Sequence, residues 1–224
     1  MGGVGSGKTY TSIFWASSQY GVNFFTEERP LIVITTAMKR DLIEKGAEKP
    51  DWQQSLENCG IHNYIVDSWQ NIEKYYNISN SVFIFDEQRV VGYGKWGKCF
   101  IKTCWNDNKW ILLSATPGDV WMDYMPVFIA NKFYRNKTEF VSRHVVWDPY
   151  VKFPKVKKYI GTAVLEKYRN QIIVPMGDSR QTTRHRDYVY AEFDSKALLD
   201  LANTRWNPYT DEPILNVAEY TQLV

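Results

Sequence analysis

Short apolar runs alternate with longer amphipathic segments along the first part of the chain. Four runs predict buried strands, in "PLIVITTAM", "NYIVDSW", "SVFIFDEQRV" and "KWILLSATPG". "SVFIFDEQRV" is the clearest, because four consecutive apolar residues belong in a strand covered on both faces, as in a parallel sheet. Helices are predicted in "TYTSIFWASSQYG", "KRDLIEKGAEKPDWQQSLENCG" (two short helices around Pro50), "QNIEKYYN" and "KWGKCFIKTCWN". This alternation over residues 1–135 predicts a parallel α/β domain.

The pattern changes past Phe140. "HVVWDPYVKFPKVKKYIGT" has two prolines, a cluster of lysines and no clear period, so we expect an extended basic segment packed against the domain. "AVLEKYRNQIIV" predicts a helix followed by a strand, "SKALLDLANTRW" a helix, and "NPYTDEPILNVAEYTQLV" the start of another helix near its end. We therefore divide the chain into a domain over 1–135 and a basic extension over 136–224.

Composition narrows the class of protein. Of the 224 residues 44% are apolar and 23% charged, which fits a soluble globular protein. Aromatic residues reach 16% with nine Trp, which suits a core, an exposed interface or stacking on bases. The three cysteines lack metal-ligand spacing, so we expect reduced thiols. Without an apolar leader or an apolar run of about 18 residues, the sequence predicts a cytoplasmic protein with no membrane partner.

Charge is distributed unevenly along the chain. The net charge is +2, but residues 130–186 hold 13 Lys or Arg against four Asp or Glu. This stretch is either a polyanion-binding surface or a solvated basic face.

A phosphate-binding motif opens the chain. "GGVGSGKT", residues 2–9, satisfies G-x-x-x-x-G-K-[ST]. Its glycines let consecutive backbone N–H groups converge on phosphate oxygens, Lys8 supplies a charge to the β and γ phosphates, and the Thr9 hydroxyl can ligate Mg²⁺. The predicted nucleotide-binding residues are Gly5, Ser6, Gly7, Lys8 and Thr9.

An acidic pair follows the most apolar strand. Asp86 and Glu87 lie where parallel sheets place their ligands, at the carboxyl ends of strands. Asp86 can hold Mg²⁺, and Glu87 can orient or deprotonate an attacking water. Alone, such a pair is more often a helix-start signal; a phosphate loop in the same chain makes catalysis the better interpretation.

A third motif, "SAT" at residues 114–116, again follows a strand. The three motifs in this order resemble the first RecA-like lobe of superfamily 2 helicases and translocases, the DExD/H-box and Swi/Snf-type proteins. In that family they are motifs I, II and III; "VITTAMKRD" resembles motif Ia. The segment past residue 135 resembles the linker of helicases encoded by bacteriophages of Gram-positive hosts.

The resemblance implies a RecA-like fold that binds ATP and Mg²⁺. Lys8 and Glu87 would be catalytic, and Thr9 and Asp86 would hold the metal. Ser114 and Thr116 would couple the nucleotide state to nucleic acid, DNA more than RNA. The backbone of that nucleic acid would run along Thr35, Thr36, Lys39 and Arg40, where hydroxyls and cations position a strand without reading its sequence. For these four residues the competing interpretation is a strand end followed by an exposed helix start.

Two features depart from the family. We expect the strand before motif I to be lacking, which leaves a slot in the sheet for another element or a protein partner. We also expect the second lobe, with its arginine finger, to be absent, so that the chain alone turns over little or no ATP. The alternatives are a non-enzymatic helicase-like protein that binds DNA, a replication partner or a host factor, and, less favoured, a kinase or another phosphate-loop protein.

Overall fold

A computed structural model describes residues 7–43, 45–87, 92–115, 117–176, 194–207 and 210–214, without the side chains of residues 197 and 198. The chain forms two compact units, Met1–Ser179 and Arg180–Val224. The elements that follow residue 135, up to residue 172, belong to the first unit. Within the described residues no helix is long and apolar enough to cross a membrane.

The first unit is built on a four-stranded sheet. Its strands are β1 (Leu31–Thr35), β2 (Tyr64–Ser68), β3 (Val82–Phe85) and β4 (Lys109–Leu112). They lie in the order β2-β1-β3-β4, and every pair is parallel. The predicted parallel α/β architecture is therefore confirmed, and each strand falls in the segment that the apolar runs predict.

Helices join these strands. They are α1 (Lys8–Tyr20), α2 (Ala37–Asp41), α3 (Asp51–Asn58) and α4 (Lys95–Trp105). Two 3₁₀ helices, Val22–Phe24 and Trp69–Tyr75, complete the connections. The segment "QNIEKYYN" thus folds as a 3₁₀ helix that begins one residue before it.

Two further helices lie where the hydrophobic pattern predicts no element. These are α5 (Trp121–Ala130) and α6 (Lys137–His144). Seven of the ten residues of α5 are buried, so the helix has no polar face and shows no amphipathic period. After α6 comes a hairpin of β5 (Val145–Trp147) and β6 (Val156–Tyr159), and then α7 (Thr162–Ile172). The strand predicted after α7 is wrong, because residues 173–176 form no strand.

Side chains of the sheet alternate between two apolar layers. On one face β1 and β3 contribute Leu31, Val33, Val82 and Ile84 to a cluster with α1 and α3. On the other face the intervening residues, such as Phe83 and Phe85, pack with α4, α5 and α6. β1 and β3 are buried along their whole length because helices cover both faces. All three cysteines are free, as predicted.

One edge of the sheet is open in the described part of the chain. β4 pairs with β3, through Lys109 N–H to the Ser81 carbonyl (2.9 Å) and Leu113 N–H to the Phe85 carbonyl (2.7 Å). Alternate residues of a strand direct their backbone groups to opposite sides, so Trp110 and Leu112 direct theirs away from β3. A cavity of about 740 Å³ lies there, lined by all of β4, by residues of α1, α5 and α7, and by residues 173, 174 and 176.

The second unit contains α8 (Ser195–Thr204) and a short hairpin, β7 (Trp206–Asn207) with β8 (Glu212–Pro213). The predicted helix in "SKALLDLANTRW" is confirmed. The helix start predicted near the end of the sequence lies outside the described residues.

Candidate nucleotide site at the carboxyl edge of the sheet

Three of the predicted site residues meet at the carboxyl edge of the sheet. Thr35 ends β1, Asp86 directly follows β3, and Ser114 lies two residues past the end of β4. The Asp86 N–H donates to the Ile34 carbonyl at 2.8 Å, which extends the β1–β3 ladder as far as the carboxylate. Parallel strands therefore bring together residues that are about 80 positions apart in sequence.

The carboxylate of Asp86 is held at one oxygen. Oδ2 accepts hydrogen bonds from the Thr35 hydroxyl (2.9 Å), the Trp52 indole (3.1 Å) and the Lys39 ammonium (3.3 Å). Every side-chain hydrogen bond that described residues make to this carboxylate goes to Oδ2. Asp86 is only 3% exposed, so the three donors compensate for the cost of burying its charge. Oδ1 is the oxygen left for a further ligand.

Two tryptophans fix Asp86 from below the edge. Trp52 of α3 donates to the carboxylate, and the indole of Trp69 donates to the Asp86 carbonyl at 2.8 Å. Both are buried, at 0% and 1% exposure. Sequence reasoning missed both, because each looks like an ordinary apolar residue and only the packing of α3 and of the 3₁₀ helix turns the indole N–H toward Asp86.

Lys39 bridges the acidic pair. Its ammonium lies 3.3 Å from Asp86 Oδ2 and 2.9 Å from Glu87 Oε1. Burial lowers the pKa of Lys39, but the hydrogen bond to Glu87 and the charges of both carboxylates outweigh it, and the net pKa is raised. Lys39, which we expect on a nucleic-acid track, therefore contacts both acids while its side chain stays 36% exposed.

Glu87 has an unusual backbone. Its φ is 53°, in the left-handed region that residues with a side chain seldom adopt. This conformation costs about 1–2 kcal/mol. Strain of this kind concentrates at functional sites, where surrounding structure compensates for it.

The remaining residues of the predicted track lie at the same edge. The Thr36 hydroxyl caps α2 by accepting the Lys39 N–H at 3.2 Å. Arg40, one turn along α2, pairs with Asp41 at 2.7 Å and approaches Asp67 at 3.5 Å. Thr35 is fully buried, so its hydroxyl serves Asp86.

Asp67, at the end of β2, is a second anchored carboxylate. Burial favours its neutral form, but hydrogen bonds from Asn71, Tyr75 and the Ser68 N–H hold the pKa of Asp67 below its usual value. The Tyr75 hydroxyl donates at 2.7 Å. These hydrogen bonds tie the end of β2 to the 3₁₀ helix that follows it. Sequence reasoning did not identify this network.

The N-terminus of α1 reaches the cavity that runs the length of β4. Gly7 adopts a left-handed φ of 77° ahead of Lys8, the first residue of α1, and Lys8 lines the same cavity as Ser114 and Pro117. A helix N-terminus carries a partial positive charge and unpaired N–H groups, which favour an anion. Thr9, in the first turn, is half-buried. Gly5, Ser6 and Thr116 lie outside the described residues.

The residues at this edge fit a magnesium ion held jointly with phosphate. Asp86 and Glu87 offer hard oxygen ligands, and magnesium is usually bound by one or two carboxylates with phosphate oxygens and water. The described residues contain no cluster of three or more His, Cys, Asp or Glu. No family model matches the chain, and neither a curated protein nor a solved structure resembles it closely enough to count as a match.

Proposed function

We propose that the first unit is the ATP-binding, RecA-like lobe of a superfamily 2 helicase of bacteriophage type, acting in the cytoplasm. One observation carries the proposal: the cavity beside β4 is lined by the first residue of α1 and by Ser114, which lies at the carboxyl edge of the parallel sheet where Asp86 is anchored. The helix end attracts phosphate, and the carboxylate attracts the cation that accompanies it. ATP with Mg²⁺ combines both charges in one ligand.

Each residue then has a defined task. Gly5, Ser6, Gly7 and Thr9 bind the phosphates through N–H groups, with Lys8 as their counter-charge. Asp86 would hold the metal, with Thr9 as the other protein ligand. When bound, Mg²⁺ would supply charge neutralisation on the phosphates.

Glu87 orients the attacking water and accepts its proton. The rigid hold of Trp52, Trp69 and Thr35 on Asp86 keeps the acidic pair oriented before the ligand arrives, which reduces the cost of organising the site. The Lys39 ammonium lies between the two carboxylates, where a metal ion would also bind. Lys39 would therefore have to release at least one carboxylate when the metal binds.

The nucleic-acid backbone, DNA in preference to RNA, follows α2. Thr36 and Arg40 contact its phosphates, and Thr35 and Lys39 link this track to Asp86. Ser114 and Thr116 carry the coupling between the two ligands. Thr35 and Lys39 both donate hydrogen bonds to Asp86. A change in how Asp86 binds the metal would therefore reach the nucleic-acid track through these two residues.

Two partners complete the lobe. A second RecA-like lobe would supply the arginine finger, typically worth 10³ to 10⁵ in rate, so we expect slow ATP turnover or none without that lobe. A further strand, from a protein partner or another element, fills the cavity beside β4. The outward backbone groups of Trp110 and Leu112 suit such a strand, and its apolar walls require apolar side chains.

Calorimetry with MgATP tests the nucleotide site. We expect saturable binding that Lys8→Ala abolishes and that Lys98→Ala, an exposed lysine of α4, leaves unchanged. No heat of binding at millimolar MgATP, or equal binding by the two variants, would refute the proposal.

A second candidate function is a non-enzymatic helicase-like protein that binds DNA, a replication partner or a host factor. The bridge from Lys39 to both acids favours it, since an internal ammonium already offsets one of their two charges. A mobility-shift titration with DNA separates the two. Binding that ignores ATP and survives Lys8→Ala supports this second function, whereas binding that changes with ATP supports the first.

A further inference from the structure

The hairpin of β5 and β6 with its connecting loop, residues 145–159, is basic along its exposed side. We call it the basic hairpin. It holds four lysines against one acid, Asp148, and all four ammonium groups are exposed: Lys152, Lys155, Lys157 and Lys158. None of them forms an ion pair with any residue that the structure describes. These charges are therefore available to an anionic partner.

Two aromatic side chains project from the tip of the basic hairpin. Tyr150 is 90% exposed and Phe153 is 76% exposed, and neither makes a ring contact within the described chain. Leaving a phenylalanine side chain in water instead of burying it forgoes about 1.5–3 kcal/mol. Val151 between them is also 40% exposed, and contiguous exposed apolar groups mark surfaces that meet a partner.

The tip rests on a rigid base. β5 and β6 pair at Val145↔Tyr159 and, beyond a bulge after Val146, at Trp147↔Val156, and Val145 and Tyr159 pack toward the core. Below them His144 Nδ1 donates to the Ile160 carbonyl at 2.9 Å, which leaves Nε2 to accept the Tyr134 hydroxyl at 2.7 Å. The exposed groups are thus presented by an ordered framework rather than by a free segment.

The loop itself is also ordered. Asp148 N–H donates to the Lys155 carbonyl at 2.9 Å, and the Asp148 carboxylate accepts the Tyr150 N–H at 3.0 Å. Asp148, the one acid of the hairpin, is therefore used to shape the turn that presents Tyr150. Tyr150 and Phe153 are three residues apart, which keeps their Cα atoms within about 11 Å.

We propose that the basic hairpin binds single-stranded nucleic acid, with unpaired bases stacked on Tyr150 and Phe153 and phosphates on the lysines. Aromatic platforms beside cations are what sequence-tolerant recognition of single strands requires, whereas a duplex hides the faces of its bases. Two of the lysines lie in the loop beside Tyr150 and Phe153, and the other two lie in β6. This surface is separate from α2 and goes beyond the proposed nucleotide site.

Fluorescence anisotropy of labelled (dT)20, without nucleotide and over a series of salt concentrations, tests the proposal on the full chain. Base stacking is worth about 1–3 kcal/mol per base, so Tyr150→Ala with Phe153→Ala should weaken binding at least tenfold and leave the salt slope unchanged. Lys152→Gln with Lys155→Gln should reduce the slope of log K against log salt by about 1.4. The matched controls, Phe14→Ala and Lys98→Gln, replace an exposed phenylalanine and an exposed lysine outside the hairpin and should change affinity less than twofold.

Three results would overturn the proposal: no binding of (dT)20, unchanged affinity in the aromatic pair, or an unchanged salt slope in the lysine pair. If (dT)20 does not bind, and both double variants lose binding to anionic phosphatidylserine vesicles equally, the hairpin would be a membrane-binding surface instead. All arms are repeated in the Lys8→Ala background. Because the assay contains no nucleotide, failure of the ATP site leaves its outcome unchanged.

Discussion

Replacing Trp52 with phenylalanine is expected to lower the free energy of unfolding by about 3 kcal/mol. The indole N–H donates to the buried carboxylate of Asp86 at 3.1 Å, and Trp52 is fully buried. A hydrogen bond to a charged group contributes about 1.5–3 kcal/mol. The smaller ring leaves a void in a packed layer, which adds about 1 kcal/mol. The loss is therefore larger than the removal of apolar surface alone would cause.

Urea denaturation followed by circular dichroism measures this loss, and Trp105→Phe is the matched control. The Trp105 indole also donates a hydrogen bond, to the Ile129 carbonyl at 3.0 Å, but its acceptor is neutral and the side chain is 40% exposed. We expect about 0.5–1.5 kcal/mol for the control. Equal losses in the two variants, or a loss below 1 kcal/mol for Trp52→Phe, would refute the view that Trp52 anchors Asp86.

Three further predictions follow from the same edge and from β4. The folded-state pKa of Asp67 is lowered, so the carboxylate stabilises the fold above about pH 4, and this stabilisation is lost as pH falls through the folded pKa. Asp67→Asn should therefore be less stable than the unaltered protein at pH 7, and the difference should shrink in acid unfolding below pH 4. The pKa of Lys39 is raised above 10.5, so the ammonium stabilises the fold below that value, and this stabilisation is lost at higher pH. Lys39→Met should lower the free energy of unfolding by about 1 kcal/mol at pH 7, after allowance for solvent screening, and should have no effect once the ammonium has titrated. In hydrogen exchange by NMR, the Leu112 amide at the open edge should exchange at least tenfold faster than the Leu113 amide, which donates to β3; equal rates would mean that the edge is covered.

The parallel sheet was predictable because burial on both faces leaves a signature in the sequence. "VFIF" is a continuous apolar run, and "LIVIT" is nearly one, so both central strands were predictable from the pattern of apolar residues alone. Helix α5 escaped prediction for the same reason: a helix buried on nearly all sides has no polar face, and Pro126 within it reads as a breaker. A hydrophobic period arises where one face of a helix is buried and the other meets solvent, and α5 has almost no face that meets solvent.

The site was predictable only as far as strand ends define it. Asp86 and Ser114 could be placed at one edge because parallel strands align their carboxyl ends. The bridge from Lys39 to Asp86 and Glu87 could not be predicted, because it depends on β1 and β3 being adjacent and on the turn into α2. Long side chains reach several neighbours, and only coordinates decide among them.

The central claim, that a metal–nucleotide complex binds beside Asp86, is tested most directly with MnATP and the indole N–H signals of the tryptophans in NMR spectra. Mn²⁺ accepts the same oxygen ligands as Mg²⁺ and broadens nearby signals. The indole nitrogens of Trp52 and Trp69 lie 3.1 and 2.8 Å from oxygens of Asp86, whereas Trp105 ends α4 just before β4 begins, about 13 Å away along the strand direction. We predict that the Trp52 and Trp69 signals broaden beyond detection well before that of Trp105 as substoichiometric MnATP is added. Uniform broadening of all three signals, or none at saturating MnATP, would contradict the account.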